Sequence, residues 1–170
     1  MDVFNSENEP GEDEIRRIAS EKENADILLA LREVDVDHEA PPYEDISLVG
    51  LDNFNSFFNP NNALELGWFG YFLGKCKWLT KLSINASSLR DFELDEIEQF
   101  FQGLGNNKSV FELEVCWFEF DDARIVESLG VFLRDNTNLT SLSMDNCGLG
   151  VNSWRLLAQS LKDRQRKSIQ

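Results

Sequence analysis

Several residue types are scarce in this 170-residue chain, and each scarcity narrows what it can do. There is a single histidine, His38, so any Ser-His or Cys-His catalytic pair would have to use it. It sits in the acidic stretch Asp35-Val-Asp37-His38-Glu39, which reads as a solvated linker. That stretch, like Asp91-Phe-Glu93-Leu-Asp95, lacks the sixth-position Gly and twelfth-position ligand of a calcium loop. The three cysteines, Cys76, Cys116 and Cys147, form no C-x-x-C pair, which points to neither a zinc site nor a disulfide framework. No Gly-rich phosphate loop opens a helix, since Gly103-x-Gly105 closes one instead. No apolar run approaches the length of a membrane span. No metal, no cofactor and no enzymatic activity are expected.

Positive charge is scarce too. Sixteen Lys and Arg face thirty-one Asp and Glu, for a net charge of −15. Such a chain repels phosphates and anionic lipid, so neither nucleic acid nor membrane is an expected partner. It can steer a basic partner. The imbalance is polarised. Asp2 to Asp45 holds fifteen acidic and four basic residues, whereas Arg155 to the end holds five basic and one acidic. The opening MDVFNSENEPGEDE is unlike a secretory signal, and free thiols suit a reducing compartment. A cytoplasmic or nuclear, non-secreted protein is expected. The sequons at Asn85, Asn107 and Asn138 then read as accidental.

What the chain does have is repetition. Leu79-Thr-Lys-Leu82-Ser-Ile84-Asn-Ala-Ser87-Ser-Leu89, Val110-Phe-Glu-Leu113-Glu-Val115-Cys-Trp-Phe118-Glu-Phe120 and Leu139-Thr-Ser-Leu142-Ser-Met144-Asp-Asn-Cys147-Gly-Leu149 align without gaps, with starts 31 and then 29 residues apart. Each is followed by apolar residues at helical spacing: Ile97, Phe101 and Leu104; Ile125, Leu129 and Phe132; Trp154, Leu157 and Leu161. Each unit therefore reads as strand, turn, helix. Asp121-Asp122 suits a helix N-cap after the second strand. A weaker unit, Tyr43-Glu-Asp-Ile46-Ser-Leu48-Val-Gly-Leu51, precedes them by 36 residues, with an insertion near Phe54 to Asn62.

The remainder divides as follows. Residues 1–13 read as a disordered acidic tail. Residues 14–42 read as a helical cap and acidic linker, with Asn24 capping ADILLALRE and Pro-Pro ending the stretch. Residues 43–163 form the repeats, with units 43–78, 79–109, 110–138 and 139–163. Residues 164–170 read as a basic tail.

The repeats resemble the ribonuclease-inhibitor-like leucine-rich repeats, chiefly through Leu139-Thr-Ser-Leu-Ser-Met-Asp-Asn-Cys-Gly-Leu-Gly150 and the unit length. Phe118 departs from the family pattern, which has Asn or Cys there. The resemblance implies a short right-handed α/β solenoid: a parallel sheet on the concave side, helices on the convex side, and a helical N-terminal cap. It also implies a protein-binding role through strand positions facing the concave side. Those positions give Asp45, Lys81, Glu112 and Ser141; Ser47, Ser83, Glu114 and Ser143; and Val49, Asn85, Cys116 and Asp145, with Trp117 at one rim. Another protein, one with a basic surface, is the expected partner. The alternative is a regulator of an enzyme, of GTPase-activating or inhibitor type, working through a protruding residue such as Arg90.

Cys147 falls where the family buries a turn residue, so a structural role is expected. Cys116 is expected to be an inert thiol. The aromatic group Phe54, Phe57, Phe58, Trp68, Phe69, Tyr71, Phe72 and Trp78 is expected to close the first end of the solenoid, the alternative being an exposed interface patch. No capping unit follows the last repeat, so either the basic tail folds over that end or it is a contact in a dimer, a larger assembly or a longer natural chain.

Overall fold

In the computed structural model of the protein, residues 4–33, 45–48, 56–85, 89–118, 120 and 122–167 are described. The order is α1 (Glu12–Ile18), α2 (Lys22–Arg32), β1 (Asp45–Leu48), β2 (Phe57–Phe58), α3 (Ala63–Lys75), β3 (Lys81–Asn85), α4 (Leu94–Leu104), β4 (Glu112–Cys116), α5 (Ala123–Asp135), β5 (Ser141–Asp145) and α6 (Val151–Lys167). The strands form one open parallel sheet in the order β2-β1-β3-β4-β5. Helices and strands alternate, and neighbouring helices pack in sequence: α1 on α2, α2 on α3, α3 on α4, α4 on α5, α5 on α6. This is the α/β repeat architecture that the periodicity predicts. Among the described residues no helix is long and apolar enough to cross a membrane.

Register follows the repeats. Ile46, Leu82, Leu113 and Leu142 lie side by side across four strands, and Ile84, Val115 and Met144 across three. These side chains turn inward because a strand alternates its faces, and the helices close over them. A chain of phenyl rings runs along the interior. Phe58 stacks on Phe69 at 4.0 Å, Phe69 on Phe100 at 6.0 Å, and Phe101 meets Phe118, which meets Phe120 at 4.5 Å. Fully burying each ring contributes about 1.5–3 kcal/mol. Phe118 thus joins the core. The turn beside it is kept: Trp117 at φ 59° and Asn146 at φ 51° occupy equivalent positions in left-handed backbone.

The units are tied together by buried asparagines at the helix-to-strand corners. Asn107 Nδ2 donates to the carbonyls of Leu73 (2.6 Å) and Cys76 (3.3 Å), while its Oδ1 accepts from the amides of Ser109 and Val110. Asn136 repeats the device one unit on, donating to Val110 O at 2.8 Å and accepting from Asn138 and Leu139. Cys76 holds the equivalent place in the unit before, its sulfur accepting from Leu79 N at 3.4 Å.

Helices α3 and α4 approach through glycine. A Cβ on Gly70 would lie 2.6 Å from Phe100 O, and one on Gly103 only 2.5 Å from the carbonyl carbon of Gly70.

Several expectations need correction. The insertion after the first strand contains β2, which extends the sheet beyond β1 and makes five strands rather than four among the described residues. Asn24 is not a cap, because α2 begins at Lys22. It is buried instead and brackets Asn59, accepting from its N–H at 3.1 Å and donating to its carbonyl at 2.7 Å. The tail is packed from Phe4 onward rather than disordered, because Phe4 and Glu9 have partners on α3. The basic tail is no separate segment, since α6 continues through Lys167. His38, Val49, Phe54 and Asp121, and the linker from Val34 to Pro42, lie outside the described residues.

Candidate functional site on the concave face

The three expected rows lie in register on the side of the sheet opposite the helices. Asp45, Lys81, Glu112 and Ser141 are paired across strands. So are Ser47, Ser83, Glu114 and Ser143, and so are Asn85, Cys116 and Asp145. Accessibility divides them. Ser47 and Ser83 are fully buried, with no hydrogen-bond partner on either hydroxyl among the described residues, and Cys116 is buried as well. These three are withdrawn as contact residues, because a fully covered side chain offers no surface to a partner. Asp45 and Asn85 are half-buried. The accessible part lies toward the C-terminal end: Glu112 and Glu114 half-buried, Ser141, Ser143 and Asp145 exposed. Lys81 Nζ pairs with Glu112 at 3.6 Å, both substantially exposed, so the contact is weak.

The face is electrostatically acidic at its centre. Burial, the Glu114 carboxylate and Asp145 push the Cys116 thiol up to about 11, and its Sγ lies 3.4 Å from Glu114 Oε1. A thiol held in that state is a poor nucleophile. Burial also raises the Cys147 thiol, which donates to Val115 O at 3.3 Å and ties the third turn to the second. Cys76, in the core, is raised by burial as well. All three cysteines are free. Among the described residues no group of three His, Cys, Asp or Glu could hold a metal ion.

The rim adds a feature that one-dimensional patterning only grazed. Trp117, the residue after β4, is 63% exposed. Its amide donates to Asp145 O at 2.9 Å, which fixes the turn, and its φ of 59° is uncommon for a bulky side chain. It borders a groove of about 400 Å³ lined by Leu89, Arg90, Phe92, Leu94 and Ile97. The structure therefore brings Trp117 and Arg90, 27 positions apart, to one place. Around it Asp91, Glu93 and Asp95 are exposed, and Arg124 is engaged by Asp95 (2.8 Å), Glu98 (3.3 Å) and Asp122 (3.2 Å).

The aromatic group near the first end is mostly core. Phe58, Phe69, Phe72 and Trp68 are buried; Tyr71 and Trp78 are half-buried and Phe57 is exposed. Asn107, one of the three sequon asparagines, is fully buried and bonded, which excludes it as a glycan acceptor in the folded chain.

No family model matches the chain. No curated protein matches it either. Among solved structures, the tropomodulin C-terminal domain from Caenorhabditis elegans aligns with 85% of this chain and 95% of its own, at 12% identity and a TM-score of 0.43. A likeness at that level assigns no activity.

Proposed function

We propose that the chain is a non-catalytic protein-interaction module of ribonuclease-inhibitor-like leucine-rich-repeat type. Its binding face is the C-terminal half of the concave sheet together with the Trp117 rim. The observation that carries this reading is Trp117: a large aromatic side chain, exposed in a turn of restricted backbone that is bonded to Asp145, at the end of a strand face that carries Glu112, Glu114 and Asp145, one in each of the three rows. Tryptophan is among the side chains that most often anchor interfaces. The three carboxylates suit a basic surface on the partner.

Charge reversal tests it. Affinity capture with the parent chain and with Glu112→Lys/Glu114→Lys should show a partner lost from the variant, and Trp117→Ala should weaken capture independently. Equal capture by all three would refute the concave-face reading.

Arg90 beside Trp117 favours a second reading, in which the partner is an enzyme and the groove carries the regulatory residue. Arg90→Ala would then leave capture intact and abolish the effect on that enzyme's turnover. The exposed apolar side chains of α6 support assembly through that helix, where Trp154 is 55% exposed. Light scattering should give a mass above 19.5 kDa in the micromolar range.

A further inference from the structure

On the convex side, residues Phe4 to Glu9 lie along one stripe of α3. Gly67, Tyr71 and Lys75 are spaced four apart and so share that face of the helix. Phe4 fills a notch at Gly67: a Cβ there would fall 2.0 Å from Phe4 Cζ and 2.3 Å from Cε2. The ring meets Trp68 edge-on at 5.1 Å. At the other end Glu9 enters a carboxylate receptor. Lys75 Nζ donates to it at 2.7 Å, Tyr71 Oη donates at 3.2 Å, and Arg32 Nε lies 3.5 Å away. Lys75 also sits 5.1 Å over the Tyr71 ring. Burial alone would raise the Glu9 carboxyl, but Lys75, Tyr71 and Arg32 outweigh it and hold the group below its ordinary value.

Two details separate this arrangement from a simple plug. A glycine inside a helix costs about 1 kcal/mol against alanine. The neighbours that would crowd a Cβ at Gly70 and Gly74 belong to the α4 chain and its C-terminal turn, whereas the three nearest to one at Gly67 are all Phe4 ring atoms. The notch thus serves an aromatic guest. The guest also fills its seat incompletely. A groove of about 510 Å³ remains between Asn5 and Ser6 on one side and Gln99 and Gln102 of α4 on the other. Ser6, Glu7 and Asn8 of the segment are exposed above it, and an exposed terminal stretch of this kind belongs to the less stable part of a fold.

We propose that this face of α3 is a peptide-binding groove kept shut by the chain's own residues 4–9. From a partner protein it takes a linear acidic segment with an aromatic side chain five positions ahead of a carboxylate. Phe4 and Glu9 display that spacing. Side chains larger than those of Asn5 and Ser6, reaching the Gln99 and Gln102 amides, give the partner its advantage over the internal segment, which benefits from a millimolar-range effective concentration. The proposal concerns different elements from the concave face and does not depend on that reading.

The test uses the full chain carrying Phe4→Ala, which frees the notch, and a labelled peptide of residues 1–11 followed by fluorescence polarisation. Saturable binding is expected. It should weaken at least tenfold when the peptide carries Phe4→Ala or Glu9→Lys, and at least tenfold when the host also carries Gly67→Ala, whose melting temperature should not fall. The unmodified chain should bind the peptide more weakly than Phe4→Ala does. A Glu9→Ala host gives a second route should Phe4→Ala fold poorly. No saturable binding to either host, or binding indifferent to Gly67→Ala, overturns the proposal. A concentration-dependent dimer of the unmodified chain that Phe4→Ala abolishes also overturns it, since the groove would then serve exchange between copies.

Discussion

Replacing Gly103 with alanine sets two known effects against each other. Helix propensity favours alanine by about 1 kcal/mol at an interior position. The contact geometry opposes it. The new Cβ would lie 2.5 Å from Gly70 C, 2.7 Å from Gly70 O and 2.7 Å from Tyr71 N, all backbone atoms of α3. Carbon contacts prefer about 3.5–4.0 Å, so α3 and α4 must separate by roughly 1 Å. A gap of that size forfeits about a quarter to a half of each dispersion contact across the pair, including the Phe69–Phe100 stack. Overpacking of this kind costs about 1–3 kcal/mol, and rigid neighbours put this site near the upper value. The net expectation is a loss of about 2 kcal/mol, or roughly 4–8 °C in Tm. Urea unfolding of Gly103→Ala against the parent measures it. Gly11→Ala, which meets nothing within 4 Å, serves as the comparison without a clash and should cost only about 0.5 kcal/mol, the preference for Gly over Ala at the N-cap of α1. Equal or greater stability of Gly103→Ala would show that the helices do not rely on backbone contact.

Asn136→Ala should cost about 2–4 kcal/mol, because it leaves Val110 O and the Leu139 amide buried without their partner and removes the part-buried bond from the Asn138 amide. Asn138→Ala, which removes an exposed bond to Lys108 O, should cost under about 1 kcal/mol by the same denaturation assay. Trp117→Asn should raise stability by about 1 kcal/mol while weakening partner capture, since Asn tolerates the left-handed φ of 59°. An unchanged Tm would remove backbone strain from the account of that residue. Cys116, with its thiol pushed up to about 11, should alkylate slowly with iodoacetamide at pH 8 and faster in Glu114→Gln, followed by mass spectrometry. Equal rates would mean that burial alone protects it.

The repeats were legible because their signal is periodic. Leu82, Leu113 and Leu142, at strand spacing from their helices, fix both the sheet register and the helix faces. What stayed hidden depends on partners remote in sequence. Asn24 has a capping residue's chemistry, yet its partners Asn59 and Glu65 lie 35 and 41 positions away. Residues 4–13 have the composition of a disordered tail, and nothing local says that Lys75 and Arg32 await Glu9. β2 is two residues long, too short to alternate. On the concave face, alternation correctly gave the orientation of Ser47, Ser83 and Cys116 but not their burial, since period two says which way a side chain turns and not what lies over it. Arg90 and Trp117 were each visible, while their shared groove follows from the stacking of two turns.

The unit 139–163 manages polar and apolar groups differently from the unit before it. Asn136 donates to Val110 O from the following unit. The equivalent carbonyl of Leu139 instead receives Arg164, whose Nη2 donates to it and to Thr137 O at 2.9 Å. A long side chain from α6 thus takes at Leu139 O the place that Asn136 holds at Val110 O. Among the described residues the apolar side has no such substitute. Leu142, Met144, Leu149 and Leu161 are only half-buried where Leu113, Val115, Phe120 and Phe132 one unit earlier are fully covered, and Trp154 is exposed where Ile125 is buried. Guanidinium can satisfy a carbonyl and remain wet, because its charge gains from hydration. No polar side chain can desolvate a leucine. The exposed apolar surface therefore concentrates around Trp154, while the alternating Ser141, Ser143 and Asp145 keep the adjacent strand polar on its concave side.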